Sequence, residues 1–317
     1  MRFRKLRSTD LIVSEIGLGA NAVGGHNLFD GLREEEGKAM IDSAIHLGIN
    51  FIDTADIYGK GRSEELIGEV LSAHKRDNII LATKGGRRWF EDGTVVLDNN
   101  PSYLRKALED SLSRLKTDYV DLYYLHFPDN KTPLMEAIGE LSKLKQEGKI
   151  RAIGVSNVSL SQLKEANEHG DISVLQSAYS LLNRSAEKEI LLYTREANIS
   201  FVPYGPLAFG LLGGNYTKEF KLTMGDWRHS NPLFQERYFA DVLDKVDLLK
   251  KLAVEKGTNI VHLSLAWLLN QDGIDSVIPG GKRREHVERN INANDLILTT
   301  ADLTRIDEIL SSDDNRK

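Results

Sequence analysis

Short, nearly continuous apolar runs recur along the chain, and after each one apolar residues return at helical period. The runs are EIGLG, NFIDTA, NIILATK, YVDLYYLHF, RAIGVSN, VLQSAY, ISFVPYGPL and DSVIPGG. Between them the spacing predicts helices over Glu34–Leu47, Ser63–Leu71, Pro101–Leu115 with proline in its first turn, and Ser159–Ala166 entered through Asn157-Val158-Ser159. Such alternation implies parallel strands joined by crossover helices. Runs that are apolar at successive positions, not at every second one, belong to strands covered on both faces. Eight strand–helix units in about 250 residues is the span of a closed barrel.

The expected architecture is therefore α/β, a (β/α)8 TIM barrel that occupies residues 1–317 as one domain. Three additions are expected. FRKLRSTDLIVS forms an N-terminal β-hairpin that turns at Ser8-Thr9-Asp10 and plugs the base, a long mobile loop runs over 208–239 after strand 7, and a C-terminal helix covers Ala301–Leu310. An open doubly wound sheet is the rival. Gly17-Leu18-Gly19-Ala20-Asn21-Ala22 matches the G-x-G-x-x-A dinucleotide fingerprint after a strand. That fingerprint requires a helix to begin at once, whereas the chain runs on through Val23-Gly24-Gly25-His26-Asn27 to Gly31 before helical period starts. The barrel reading is preferred.

Composition narrows the partners. With 41% apolar residues, 28% charged residues and a net charge of −6, the chain has no basic footprint for nucleic acid or anionic lipid. The absence of cysteine excludes disulfides, thiolate catalysis and cysteine-bound metals. MRFRKLRSTD lacks the apolar core of a signal peptide, and no apolar run reaches the roughly 18 residues of a membrane-spanning helix. A cytoplasmic protein acting on small molecules is the expectation.

In a barrel, reactive groups sit at the C-terminal ends of the strands. Asp53 and Tyr58 follow NFI, Lys84 ends NIILAT, His126 ends YVDLYYL, Ser156 and Asn157 end RAIGV, Gln176 ends VLQ, and Tyr204 ends FVPY. Each has a plainer reading when taken alone: Lys84 reaching solvent, His126 hydrogen-bonded in the core, Asp53 capping a helix, Tyr58 packed with a wet hydroxyl. Asp, Tyr, Lys and His at the same end of consecutive strands two, three and four, however, converge.

Their joint chemistry is definable. A phenol titrates near 10, too high for efficient proton transfer at neutrality, and an adjacent ammonium lowers it. Lys84 supplies that charge, and Asp53 keeps the buried lysine protonated. His126 orients a substrate oxygen or shares its proton. Such a group delivers a proton to a carbonyl oxygen while another reagent attacks the carbon. The chain has no cysteine nucleophile, clustered metal ligands, serine elbow or phosphate loop, so the missing reagent is a hydride donor held as a cofactor.

Ile278-Pro279-Gly280-Gly281-Lys282-Arg283-Arg284-Glu285-His286 leads into a helix with three adjacent cations at its start. A solvated basic face is the plain reading there. A helix N-terminus near barrel strands seven and eight also suits phosphates, and clustered Lys and Arg favour a 2′-phosphate, hence NADPH over NADH.

These residues resemble the aldo-keto reductase superfamily over essentially the whole chain. The matching stretches are GLGANAVGG, FIDTADIYGKGRSEELIGEVL, ATKGG, DYVDLYYLHFPD, GKIRAIGVSN, LQSAYSLLNR, PYGPLAFGLLGG and IPGGKRREHVERN, in that order. Among its branches the chain looks most like the bacterial group near the inositol-operon-type reductases of bacilli, which also resembles potassium-channel β subunits. The resemblance implies NADPH bound in an extended pose on a barrel, and a catalytic tetrad of Asp53, Tyr58, Lys84 and His126, with Tyr58 as general acid in reduction. It also implies that Ser156, Asn157 and Gln176 hold the nicotinamide carboxamide and that Tyr204 stacks on its ring. Gly205, Pro206, Leu207, Gly210 and Leu211 would pass along the pyrophosphate, and Gly280, Lys282, Arg283, His286, Arg289 and Asn290 would hold the adenosine end. Ala20, Asn21 and Asp53 would border cofactor and substrate.

The chain departs from the family pattern in four places. Gly280-Gly281 stands where many members have Lys-Ser, which moves the phosphate cation to Lys282 or Arg283. His286 replaces an adenine-stacking arginine, Arg289 replaces a common glutamate, and Asn21 replaces an aromatic, making that wall more polar. NADH is the less favoured cofactor. Asn21, Phe29, Tyr58, Trp89, Phe90, His126, Phe127 and Trp227 are the candidate pocket walls. The expectation is a monomeric reductase of aldehydes and some ketones, and the competing hypothesis is an NADP(H)-binding module that senses redox state and regulates a partner with little turnover.

Overall fold

The computed structural model describes residues 1–311, and positions 312–317 of the expected domain lie outside the described residues. In chain order the strands are β1 (Phe3–Lys5), β2 (Ile12–Ser14), β3 (Leu18–Gly19), β4 (Phe51–Asp53), β5 (Ile80–Gly85), β6 (Arg87–Trp89), β7 (Val95–Leu97), β8 (Val120–Leu125), β9 (Ile150–Ser156), β10 (Ile172–Ala178) and β11 (Ser200–Tyr204). Seven of them form one parallel sheet in the order β11-β10-β9-β8-β5-β4-β3. The sheet closes on itself through residues 274–280, which bridge Phe201 on one flank and Ile16 and Gly19 on the other. Gly17 N–H donates to Val277 O at 2.8 Å, and Val277 N–H to Glu15 O at 2.9 Å.

This eighth stave is the DSVIPGG run, present as isolated bridges and not as a regular ladder. The reasons are local. Pro279 has no N–H to donate, and Gly19 lies so close that a Cβ there would meet Ile278 O at 2.8 Å.

Strand side chains alternate between two cores. Phe51, Ala82, Leu122, Tyr124, Val174 and Val202 fill the barrel interior, and Leu6, Leu11 and Val13 of the β1–β2 hairpin pack into the same cluster. The hairpin caps the N-terminal end of the staves: Arg7 N–H donates to Ser200 Oγ at 2.8 Å and Ser14 N–H to Asn50 Oδ1 at 2.7 Å. Ile52, Leu81, Tyr123, Ile153 and Leu175 face outward against the helices. With the base plugged, the opposite end is left for chemistry.

The helices are α1 (Glu34–His46), α2 (Arg62–Leu71), α3 (Pro101–Leu115), α4 (Leu134–Gln146), α5 (Leu160–Ala166), α6 (Ile190–Glu196), α7 (Glu236–Glu255), α8 (Ile260–Leu269), α9 (Arg284–Ile291) and α10 (Thr300–Ser311). Three of them, α3, α5 and α8, start at side chains that satisfy otherwise unpaired N–H groups. Asn100 Oδ1 accepts from Ser102 N–H ahead of Pro101, and Ser159 with Gln162 forms a reciprocal capping box that starts α5 at Leu160. Among the described residues no helix is long and apolar enough to cross a membrane.

Two features differ from expectation. The 208–239 segment is not loop throughout: α7 already starts at Glu236, and the rest contains three short 3-10 turns, Ala208–Gly213, Trp227–Ser230 and Pro232–Phe234. Tyr216 meets Phe220, Phe234 and Phe239 edge to face, while Arg228 donates to Asp226 and to Tyr216 Oη, each at 2.6 Å. Aromatic content supplies a local core where glycine spacing implied none. The β6–β7 hairpin was not anticipated either. It turns at Asp92-Gly93, with Gly93 at φ 90° and Thr94 N–H bonded to Asp92 Oδ1.

Candidate active site

The strand ends bring Asp53, Lys84 and His126 together, with exposures of 3%, 0% and 6%. Lys84 ascends β5 and donates from Nζ to Asp53 Oδ1 and, at 2.7 Å, to Thr54 O. Gln176 Nε2, from β10, donates to Asp53 Oδ2 at 2.8 Å. Each oxygen of the Asp53 carboxylate thus receives one hydrogen bond. The Lys84 ammonium lies 5.3 Å from the Tyr58 ring centroid, and the Tyr58 and His126 rings meet edge to face at 6.1 Å. The four side chains form one contiguous cluster.

Tyr58 is partly exposed and stands in a tight turn after β4. Gly59, Lys60 and Gly61 all have left-handed φ, and a Cβ on Gly59 would approach Gly24 O to 1.9 Å, so the turn is pressed against the loop after β3. Asn27 of that loop brackets the tyrosine: its Nδ2 donates to Ile57 O at 3.1 Å and its Oδ1 accepts Gly59 N–H at 2.7 Å. The sequence reading missed Asn27. An Asn in a glycine-rich loop carries no signal of what it will touch.

Burial decides the electrostatics. It pulls the Lys84 pKa down, but the charges of Asp53 and Tyr58 outweigh it and leave the ammonium above its ordinary value. Burial raises Asp53, opposed by Lys84 and Gln176. It also raises Tyr58, and the charge of Lys84 opposes this without overcoming it. The expected net lowering of the phenol is therefore not met. Lys84 acts in the expected direction, and desolvation is larger. His126 is held well below its ordinary pKa by burial and then by the charges of Lys84 and Arg87, which makes it a neutral imidazole. Its Nδ1 is buried without a hydrogen-bond partner, and its backbone carbonyl accepts from Asn157 Nδ2 at 3.0 Å. A neutral imidazole orients an oxygen by hydrogen bonding and does not share an imidazolium proton.

Asp56, two residues before Tyr58, points elsewhere. It is 1% exposed, neither carboxylate oxygen has a hydrogen-bond partner, and burial and then Glu64 push its pKa well up. Glu64 itself accepts from Arg114 Nε at 2.7 Å and from Thr83 Oγ1 at 2.5 Å.

Ser156, Asn157, Gln176 and Tyr204 stand in a row across the ends of β9, β10 and β11. Asn157, at φ 57°, spends its amide on the protein: Nδ2 donates to His126 O and Ser156 Oγ, and Oδ1 accepts from Tyr204 Oη at 2.9 Å. It therefore fixes the tilt of the Tyr204 ring. Beyond Tyr204, Gly205 opens a turn in which Ala208, Phe209 and Gly210 are all left-handed, and Gly205, Ala208 and Phe209 line a cleft of about 220 Å³. A phenylalanine at φ 55° is a strained conformation, of a kind that clusters at ligand sites; Trp227 packs edge to face on it at 5.0 Å. Pro206, Leu207 and Leu211 belong to the same turn region.

The remaining candidates gather at the eighth stave. Gly280 bridges Gly19, and a Cβ on Gly280 would meet Asn21 Oδ1 at 3.0 Å, so Ala20 and Asn21 adjoin it. His286 Nδ1 accepts Lys282 N–H at 3.0 Å and thereby caps the turn before α9. Asn290, 3% exposed, has a buried Oδ1 without a partner, and so has Arg289 at Nε. Buried polar atoms left unmatched by the protein are what a hydrogen-bonding ligand would satisfy. Among the candidate walls, Phe29 instead packs under Lys282 Nζ at 5.0 Å, Phe90 is 40% exposed beside Arg88, and Trp89 faces Arg114. Among the described residues no cluster of three or more His, Asp or Glu is placed to hold a metal.

Known proteins resemble this chain over most of its length. A model of the Aldo/keto reductase family matches residues 15–311. The aldo-keto reductase YhdN of Bacillus subtilis is 35% identical over 314 residues, covering 98% of this chain and 94% of the relative. An Escherichia coli protein named NADH-specific methylglyoxal reductase is 34% identical over 319 residues, covering 96% and 97%. The solved structure of the glycerol dehydrogenase AKR11B4 from Gluconobacter oxydans matches with a TM-score of 0.91 at 34% identity, covering 98% of this chain and 95% of that one.

Proposed function

The chain belongs to the aldo/keto reductase family, and from that premise we propose that it reduces aldehydes, and some ketones, to alcohols with NADPH as hydride donor and Tyr58 as proton donor. The observation that carries the reading is Lys84, a buried ammonium fixed between Asp53 and Thr54 O against the Tyr58 ring and beside the neutral His126.

A nicotinamide held at this site would supply the hydride. The chain's own residues do the rest. His126 donates a hydrogen bond that places the carbonyl oxygen, and Tyr58 Oη–H transfers its proton to that oxygen. Lys84 stabilises the phenolate left behind, and Asp53 and Gln176 hold Lys84 in line. Raised by burial, Tyr58 stays protonated and ready to donate throughout the physiological range. In the alcohol-oxidising direction the phenolate is the base.

Tyr204, tilted by Asn157, offers a flat face for the nicotinamide ring, with Ser156 and Gln176 beside it for the carboxamide. The turn through Gly205, Leu207 and Gly210 suits the pyrophosphate. The unmatched Asn290 Oδ1 and Arg289 Nε suit the adenosine end, and Lys282 and Arg283 suit the 2′-phosphate. One relative is named as NADH-specific, so both nucleotides belong in the assay. The protein is taken to act as a cytoplasmic monomer.

Loss of NADPH and NADH absorbance with a panel of aldehydes, ketones and sugars tests the reading. Turnover with NADPH is expected, and Tyr58→Phe is expected to lose about 10²–10⁴-fold in kcat/KM. Tight NADPH binding with no turnover of any carbonyl, and Tyr58→Phe indistinguishable from the parent, would support the redox-sensing module instead.

A further inference from the structure

The cluster's electrostatics contain one charge that the proton relay does not use. Arg87 begins the β6–β7 hairpin, three residues after Lys84. The chain reaches it through Gly85, whose carbonyl accepts the backbone N–H of His126 at 2.9 Å, and Gly86, which turns at φ 104°. The guanidinium then lies over the Phe127 ring, 5.5 Å from its centroid, and the Phe127 ring lies 5.1 Å from that of His126. These two steps place the guanidinium no more than about 11 Å from the imidazole. Its charge is felt by Tyr58, His126 and Asp56 alike.

Arg87 also lacks a carboxylate partner. Arg62, Arg88 and Arg114 each sit within 3.3 Å of a carboxylate oxygen. Among the described residues Arg87 has no ion-pair partner, and its buried Nε has no hydrogen-bond acceptor. Asp56 also feels it, but it lies outside ion-pair distance with both oxygens unmatched, and its carboxyl is biased toward the neutral form by burial and by Glu64. The mouth of the cluster thus carries a guanidinium whose charge nothing nearby neutralises. Its fork of parallel N–H donors matches a carboxylate far better than a hydroxyl.

Resting on the reductase reading above, we infer that Arg87 anchors a carboxylate on the carbonyl substrate, so that aldehydes bearing a carboxylate a short chain away are the favoured substrate class. The hairpin explains the location: it leaves the end of β5 and sets the guanidinium on Phe127 beside His126, within reach of the remote end of a substrate whose oxygen would lie between Tyr58 and His126. Binding energy at that remote end is used to position the carbonyl.

The test compares matched pairs of substrates: succinic semialdehyde against butanal, and 4-carboxybenzaldehyde against benzaldehyde. In the parent the carboxylate member is expected to lead by at least about tenfold in kcat/KM, the scale of a charge-assisted hydrogen bond. In Arg87→Gln that ratio is expected to collapse toward one, and in Arg87→Lys to fall to an intermediate value. A purely structural arginine would lower both members equally and leave the ratio unchanged, which overturns the inference, as does a parent ratio near one. Quenching of tryptophan fluorescence by benzoate, with benzamide as the neutral control, separates the two levels of argument. Benzoate binding that is lost in Arg87→Gln supports the anion site even if no aldehyde turns over, an outcome that would count against the reductase reading alone. Benzoate binding that is equal in parent and variant overturns the anion site.

Discussion

Replacing Asp53 by asparagine isolates the charge that holds the cluster together. Asparagine keeps the volume and one acceptor oxygen, so packing survives. What disappears is the negative charge facing a lysine that is 0% exposed and otherwise bonded to Thr54 O at 2.7 Å. Removing one partner of a buried pair costs about 3–5 kcal/mol. At about 2.1 cal/mol/K per residue, 317 residues give an unfolding entropy near 0.7 kcal/mol/K, so the melting temperature is expected to fall by about 4–8 °C. Lys84 can escape part of this cost by losing its proton: with Asp53 neutralised, burial, the largest influence on its pKa, pulls that pKa down.

The sign follows from linkage. In the parent the Lys84 pKa is raised, so its stabilising contribution is complete below the unfolded value near 10.4 and is lost only as pH rises through the folded value. In Asp53→Asn the shift reverses, the unfolded chain binds more protons than the folded one, and stability climbs with pH. Activity moves the other way, because the phenolate of Tyr58 loses its ammonium as pH rises through the lowered Lys84 pKa. The assay is thermal unfolding at about pH 6 and pH 9 together with a kcat/KM profile over the same range. Opposite pH trends in stability and activity are the expected signature. A variant whose melting temperature and profile overlay the parent's would refute the account of Lys84.

Three further outcomes are expected. His126 has a depressed pKa, so the stability it confers is complete above about 6.5 and is lost as pH falls through that value, at up to about 1.4 kcal/mol per pH unit. Denaturant titration at pH 7.5 and pH 5 should show a smaller acid loss in His126→Gln, reduced but not abolished because His262 and His286 share the direction; an unchanged loss would contradict it. Gly59→Ala places a Cβ 1.9 Å from Gly24 O at φ 61° and should displace Tyr58, lowering kcat by at least about tenfold; a crystal structure with the turn unmoved would count against the bracketing role of Asn27. Arg283→Gln should weaken NADPH by about tenfold more than NADH in fluorescence titrations, and equal weakening would place the 2′-phosphate elsewhere.

What could be read in the sequence was what repeats or stands out of place. Pro101 at a helix start and the Asn157-Val158-Ser159 lead-in located α3 and α5 closely, because caps are local chemistry. Asp53, Lys84 and His126 stood out as polar groups closing apolar strands, and parallel staves necessarily gather strand ends. The sign of the net shift on Tyr58 was not readable, since it depends on how deeply the site is buried. The ties of the Asn157 amide to His126 and Tyr204 were not readable either; hydrogen-bond partners thirty and more residues away leave no trace in spacing. The Asp92-Gly93 dipeptide did carry a hairpin signal, its glycine taking the left-handed position that closes the Phe90–Gly93 turn, and went unread because the strands beside it are only three residues long.

The barrel is closed by its least regular stave. Seven staves are laced edge to edge, whereas the eighth is pinned at a few points, so the hoop has one weak link, and amides of residues 273–280 should exchange with solvent sooner than those of β8 and β9. Lys282, Arg283, Arg289 and Asn290 continue directly from that link. A dinucleotide gripped there would act as a clasp, and filling the site would tighten the whole ring as well as supply its reagent.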